Sequence, residues 1–297
     1  MNRGIRMRKQ LFAQERDMSI LQFVLEQTFV TLDQIALRFW LGVDDNPLTA
    51  RLKGRCRTAA EKIGDYFAAI ESIQFDENLS RDGRKKELAK LRENRRSAAY
   101  RRILFLQKFG LVKRVQMPFD RERVYQVTPS GVRFLEENDL EVLPYKGKIN
   151  LSTYEHEKRV TDVRIISEII DYNWLSCREM MSGQKIGGRD TRRVPDGVLE
   201  GESSRVAVEI EISTKRKERY EKIFREYVKG KYIERSGEID CVLYVCKSPE
   251  QKSRLLKYAS AAGSEHFWFC TYRELEQTWP ETILDGVKGQ QMQFNEF

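Results

Sequence analysis

Soft metal ligands are scarce in this chain. The two histidines, His156 and His266, stand 110 residues apart, and none of the five cysteines forms a CxxC pair. A zinc finger, a zinc deaminase site and a histidine-triad relaxase or replication-initiator site all require clustered soft ligands, so these classes are excluded. No GxxxxGK[ST] stretch occurs, which excludes a Walker-type nucleotide-binding loop. No run reaches the roughly 18 apolar residues of a membrane span, and the basic start, residues 1–14, has no apolar core segment. Neither a transmembrane protein nor a secreted precursor is expected. The odd cysteine count, with three thiols in apolar runs, reads as buried thiols in a reducing, cytoplasmic compartment. Any metal would fall to carboxylates, which points to Mg2+ or Mn2+.

What is present suits two domains. The chain has 297 residues, 40% apolar and 33% charged, enough for sizeable cores. Its net charge is +8 and its pI about 9.1, which fits a polyanionic partner. Residues 1–145 carry 27 basic and 20 acidic side chains, and residues 146–297 carry 26 and 25. The basic excess therefore belongs to the N-terminal half. Proline and glycine break the periodicity at Leu143–Ile149. This predicts one domain over 1–145 and another over 150–297.

The first half reads as helices, a hairpin and a helix. Ile20, Phe23, Val24 and Leu25 follow helical spacing. Thr31 caps a second helix whose apolar face is Ile35, Ala36 and Phe39. A third helix is expected from Glu93 to Phe109, with Ala98, Ile103, Leu104 and Leu106 inward and Gly110 as its stop. Residues 111–115 and 123–127 form a predicted hairpin, and Thr128-Pro129-Ser130-Gly131 caps a last helix. That order is a winged helix-turn-helix. Residues 42–92 read as a helical insertion, with an apolar-periodic stretch at Ala59–Ile73 and a charged run at Ser80–Arg92. From Arg81 to Arg114 there are 13 basic residues and 3 acidic ones. A charge run is ordinarily a solvated helix face, but this one overlaps the recognition helix and reaches the wing. Arg95, Arg96, Arg101 and Arg102 are the leading DNA-contact candidates, with Lys108, Lys113 and Arg114 beyond them.

The second half alternates. A helix spans Thr153–Tyr172, with Val160, Val163, Ile166 and Ile170 inward. Strands are expected at Trp174–Met181, Val194–Leu199 and Arg205–Ser213, then a helix from Lys215 to Glu234. A buried strand follows at Ile239–Cys246, a helix at Pro249–Ala262 and a strand at His266–Tyr272. In Arg205–Ser213, period-two alternation puts Ala207, Glu209, Glu211 and Ser213 on one face. The two carboxylates then lie roughly 6.6–6.8 Å apart along the strand. Asp196 precedes them at hairpin distance, and three carboxylates together call for a divalent cation. The plain alternative is an acidic strand face turned to water. On the helix, His156, Arg159 and Asp162 share a strip at i, i+3 spacing, with Glu157 beside it; ordinary surface ion pairing accounts for the same spacing.

Pro195-Asp196-Gly197 followed by Glu209-Ile210-Glu211 resembles the PD-(D/E)xK nuclease superfamily, with Glu211 standing where that motif has lysine. The whole order resembles the C-class, MobC-type mobilisation relaxases and the related replication-relaxation proteins. It comprises a winged helix, then His156-Glu157-Lys158-Arg159, PDG, ExE and R-Y-x-K with a following tyrosine (Arg219, Tyr220, Lys222, Tyr227). The resemblance implies an α+β protein with a restriction-endonuclease-like second domain around a mixed sheet. It implies a bacterial enzyme that nicks double-stranded DNA at a transfer origin, with an accessory mobilisation or coupling protein as a further partner. Asp196 and Glu209, completed by Glu211 and Glu157, would hold Mg2+ or Mn2+. Lys222, with Lys215 as the other candidate, would replace the missing lysine. Arg159 would offset charge and His156 would relay a proton. Water is the favoured nucleophile, with Tyr220 or Tyr227 as the alternative. A DNA-binding regulator with a degenerate nuclease fold and a double-strand-cutting endonuclease remain open.

Overall fold

The computed structural model describes residues 15–40, 72–73, 76, 78–118, 123–182, 194–201, 204–229, 239–263, 265–279 and 281–297. The chain is a mixed α+β protein that divides into two compact units, Met1–Asn150 and Leu151–Phe297.

In the first unit, α1 (Glu15–Gln27) buries Ile20, Leu21, Phe23, Val24 and Leu25. Strand β1 (Val30–Thr31) leads into α2 (Leu32–Phe39) through a reciprocal capping box. Thr31 Oγ1 accepts from the Gln34 N–H at 3.2 Å, and Gln34 Oε1 accepts from the Thr31 N–H at 2.8 Å. The third helix, α3 (Arg81–Lys108), is 28 residues long and starts twelve residues before the expected Glu93. Ser80 caps it by accepting from the Gly83 N–H at 3.1 Å. The charged run expected within the insertion is thus the first half of α3; Ala59–Ile73 lies almost wholly outside the described residues, and nearly all of 42–79 with it. Ala99, Ile103 and Leu106 are buried, whereas Leu104, expected inward, is 44% exposed. Helical rotation turns position 104 about 100° from Ile103 and away from the core. Gly110, at φ +66°, ends the run.

Strands β2 (Val112–Gln116) and β3 (Arg123–Val127) pair antiparallel, and β1 joins β3 to give the order β1-β3-β2. Thr128 caps α4 (Pro129–Glu136), whose proline occupies the first turn. A Cβ on Gly131 would sit 2.3 Å from the Leu111 carbonyl oxygen, so glycine lets α4 lie against the start of the hairpin.

The second unit is a seven-stranded mixed sheet in the order β10-β9-β8-β7-β6-β5-β4. Helix α5 (Tyr154–Ile169) packs against β4 (Asn173–Ser176), β5 (Gly197–Glu200) and β6 (Arg205–Glu211). Thr161, Val163, Ile165 and Ile166 are buried along it; Val160 and Ile170, expected inward, are only partly buried. The strand expected to reach Met181 stops at Ser176. There a second capping box starts α6 (Cys177–Met181), with Ser176 Oγ accepting from the Glu179 N–H at 3.1 Å and Glu179 Oε2 from the Ser176 N–H at 2.7 Å. Strands β4, β5 and β6 are antiparallel. Strands β6, β7 (Cys241–Cys246) and β8 (Phe267–Thr271) are parallel, joined through α7 (Lys217–Val228) and α8 (Pro249–Ala261). The continuation of α7 to Glu234 falls outside the described residues. The face of the sheet bearing Ala207, Tyr244 and Phe269 packs on Tyr220, Phe224 and Leu255 of α7 and α8. The tail forms α9 (Tyr272–Thr278) and a hairpin, β9 (Ile283–Gly286) and β10 (Gln291–Gln293), that extends the sheet beyond β8.

The four described cysteines are free thiols. Burial pushes the Cys241 and Cys246 thiols up to about 12, which keeps them protonated and inert.

Candidate functional site

The loop before β5 and the length of β6 bring three carboxylates into one neighbourhood. The Asp196 N–H donates to the Val208 carbonyl at 3.0 Å, and its Oδ2 accepts from the Ile210 N–H at 2.8 Å. Ile210 lies between Glu209 and Glu211, so the Asp196 carboxylate is fixed to the stretch of strand that carries both glutamates. Gly197 makes this approach possible. A Cβ there would sit 2.0 Å from the Trp174 ring, which covers the strand at that point.

Neither glutamate faces water. Glu209 is 8% exposed and Glu211 is 3% exposed. A buried carboxylate requires partners, and each has one. Tyr227 of α7 donates to Glu209 Oε1. Glu211 pairs with the Lys215 ammonium and accepts from the Ser213 hydroxyl at 3.2 Å. His156, from the first turn of α5, lies 3.1 Å from Asp196 Oδ2 through Nε2. A carboxylate only accepts, so Nε2 carries the proton. Burial lowers the His156 pKa, but the hydrogen bond to Asp196, its charge and that of Glu209 outweigh burial, and the net shift is upward; Lys215 opposes it. None of the described residues donates a hydrogen bond to Asp196 Oδ1. Among the described residues, no group of three or more His, Cys, Asp and Glu side chains is arranged to hold a metal.

The turn after β6 is held by two buried polar side chains. The Tyr220 hydroxyl accepts from the Lys215 N–H at 3.1 Å and donates to the Ser213 carbonyl at 3.2 Å. Gln251 donates to the same carbonyl at 2.9 Å and accepts from the Lys247 N–H at 2.8 Å. Burial pushes the Tyr220 hydroxyl up to about 12. Both tyrosines weighed as nucleophiles are therefore buried with their hydroxyls committed.

The structure brings together His156, Asp196, Glu209 and Glu211 of the expected set, with Lys215, the alternative to Lys222, and Tyr227, weighed as a nucleophile, and adds Gln251. It separates three others. Lys222 is 74% exposed and turned toward Glu226, 3.8 Å away, because the buried stripe of α7 is Tyr220, Ile223, Phe224 and Tyr227. Glu157 accepts from the Thr153 hydroxyl at 2.9 Å and stays with the first turn of its own helix. Arg159 pairs with Glu155 at 3.0 Å and stacks over the Tyr272 ring at 4.0 Å, while Tyr272 donates to Asp162 at 2.8 Å. The His156–Arg159–Asp162 strip is thus split between the carboxylates and α9. Tyr227 was legible only as the tyrosine after R-Y-x-K; Gln251 carries no such signal.

The basic residues of the first unit are likewise sorted by helical rotation. Arg102 makes a two-pronged ion pair with Asp17, which is fully buried on α1. Arg95 lies seven residues before it on the same side of α3 and is partly buried. Arg96 is 3.5 Å from Asp33 of α2, on the rim of a cleft of about 480 Å³ lined also by Glu93, Tyr100, Arg123 and Tyr125. Arg101, Lys108 and Arg114 are exposed and Lys113 is half-buried. Arg102 is therefore held against α1 by its ion pair, whereas Arg96 and Arg101 are exposed.

No protein-family model, curated protein or solved structure matches the chain.

Proposed function

We propose that the chain is a metal-dependent DNA-nicking relaxase, with a winged-helix unit that docks duplex DNA and a restriction-endonuclease-like unit that cuts one strand at a transfer origin. The observation that carries this reading is the convergence of the buried Glu209 and Glu211 with the partly exposed Asp196, His156 and Lys215 on one stretch of a mixed sheet. The β1-β3-β2 order, with helices before, between and after its strands, supports the docking role. The donor type suits a hard cation: carboxylate oxygens, of which Asp196 Oδ1 accepts no hydrogen bond from the described residues. Asp196 and Glu209 would hold Mg2+ or Mn2+. Lewis-acid polarisation of the scissile phosphate and a lowered pKa of water at the site are what such an ion would supply when bound.

The chain's own groups do the rest. Lys215 takes the place left by Glu211 in the ExK pattern and sets a positive charge against the phosphate. Tyr220 and Gln251 hold the turn that carries it. Tyr227 orients Glu209, and His156 holds a proton at Nε2 beside Asp196. With both tyrosine hydroxyls committed, water is the nucleophile.

One observation favours a second reading. Each carboxylate already has a protein partner, as in a degenerate nuclease fold retained by a DNA-binding regulator. Supercoiled origin plasmid incubated with Mg2+ or Mn2+ separates the readings: nicked circles support the relaxase, intact circles the regulator, and linear DNA a double-strand endonuclease acting as a dimer. Asp196→Ala and Glu209→Ala should each abolish nicking while leaving duplex binding within a few fold. Full activity in chelator would overturn the metal mechanism.

A further inference from the structure

Helix α3 is far longer than its anchorage. Its buried residues, Ala99, Ile103 and Leu106, all lie in the last ten positions, and none lies between Arg81 and Ala98. At 1.5 Å per residue the helix spans about 42 Å, of which about 27 Å precedes the first buried residue. That first part is strongly basic: residues 81–92 carry six basic and two acidic side chains.

The basic residues do not all face one way. At 100° per residue, Lys86, Lys90, Arg101 and Lys108 fall within a sector of about 60°, opposite the sector of Ala99, Ile103 and Leu106. All four are exposed. Lys90 lies 3.6 Å from Glu87, a solvent-reached pair of little energetic weight. The line runs about 33 Å, close to one turn of B-form DNA at about 34 Å.

We propose that this outward line is a duplex-DNA surface longer than the recognition helix itself. Arg101 and Lys108 neutralise phosphates at the edge of the major groove, and Lys86 and Lys90 reach phosphates flanking it. The reason is geometric. The major groove winds around the duplex once per turn, and a straight rod cannot follow it. A helix seated by its anchored C-terminal part carries its first turns out of the groove and over the backbone. Lysines, as compact charges, suit that contact. The proposal rests on the DNA-binding reading of the first unit and adds a second footing to it.

The test is the salt dependence of binding to a random-sequence duplex of about three helical turns. The full-length proteins are wild type, Lys86→Ala/Lys90→Ala, Arg101→Ala/Lys108→Ala and the fourfold variant. All four positions are exposed, so the core is untouched. Each pair should lower the log–log slope by about 1.8, additively, and weaken binding by roughly 30-fold at 0.15 M salt. If the Lys86/Lys90 variant keeps the wild-type slope while the Arg101/Lys108 variant loses its share, the overhang is a solvated face and the proposal is wrong, while the DNA-binding reading stands. If wild type binds no duplex at low salt, both are wrong.

Discussion

The Glu211–Lys215 pair offers the sharpest test of how the carboxylate cluster is held. Lys215→Met keeps the length and apolar stem of the side chain and removes its charge. Glu211 then remains 3% exposed, with the Ser213 hydroxyl as its hydrogen-bond partner and no cation. Removing one partner of a buried pair costs about 3–5 kcal/mol, because the remaining charge is neither hydrated nor paired. Lys215 is 24% exposed, and water reaches the site from that side, so the low end, about 3 kcal/mol, is expected. For a unit of this size that lowers the thermal midpoint by roughly 6–12 °C. Adding Glu211→Gln to Lys215→Met leaves no bare charge, and the double variant should regain most of the loss. A double-mutant cycle by thermal and urea denaturation of the full chain measures the coupling directly. A cost below about 1 kcal/mol for Lys215→Met, with no coupling to Glu211, is the behaviour of an exposed pair and would refute the reasoning.

Three further outcomes follow. Asp17→Ala should destabilise the first unit by about 3 kcal/mol or more by stranding the Arg102 guanidinium, and Asp17→Ala/Arg102→Met should recover much of it, read by urea midpoints. Gly197→Ala should cost about 1–3 kcal/mol, since its Cβ would occupy the Trp174 ring, and the loss should shrink in a Trp174→Leu background. In metal-free protein the His156–Asp196 pair should stabilise the fold fully below the unfolded histidine pKa of about 6.5 and lose that contribution as pH rises through the elevated folded value. Urea midpoints at pH 6 and pH 8 should therefore fall more with pH for wild type than for His156→Gln, and parallel curves would exclude the pair.

Much of the secondary structure was legible because it is a local matter. The alternation in Arg205–Glu211, the unbroken apolar run of Cys241–Cys246 and the capping threonines at 31 and 128 each state their element within a few residues. Where the expectations failed locally, a signal was present and outweighed. Ser176-Cys177-Arg178-Glu179 is a capping box that ends β4, though the apolar pattern runs on through Met180. The α3 start at Arg81 was hidden by charge density, which reads equally as a loop or a solvated helix. The short β9–β10 hairpin carries too few residues for a period to register.

The destinations of long polar side chains were another matter. Period-two alternation places Glu209 and Glu211 on one face, but it does not say whether that face meets water or α7. The answer depends on Tyr227, 18 residues on, and on the turn that carries Lys215. The sequence put Lys222, in R-Y-x-K, ahead of Lys215. In the fold Lys222 falls on the exposed side of a packed helix, while Lys215 sits in a turn clamped by Tyr220 and Gln251. His156 meets Asp196 across 40 residues, and Arg102 meets Asp17 across 85. The sequence by itself determined which residues share a face, because a backbone period needs only neighbours. Only the tertiary structure decided which charges are partnered and which are presented, because burial and pairing depend on elements distant along the chain.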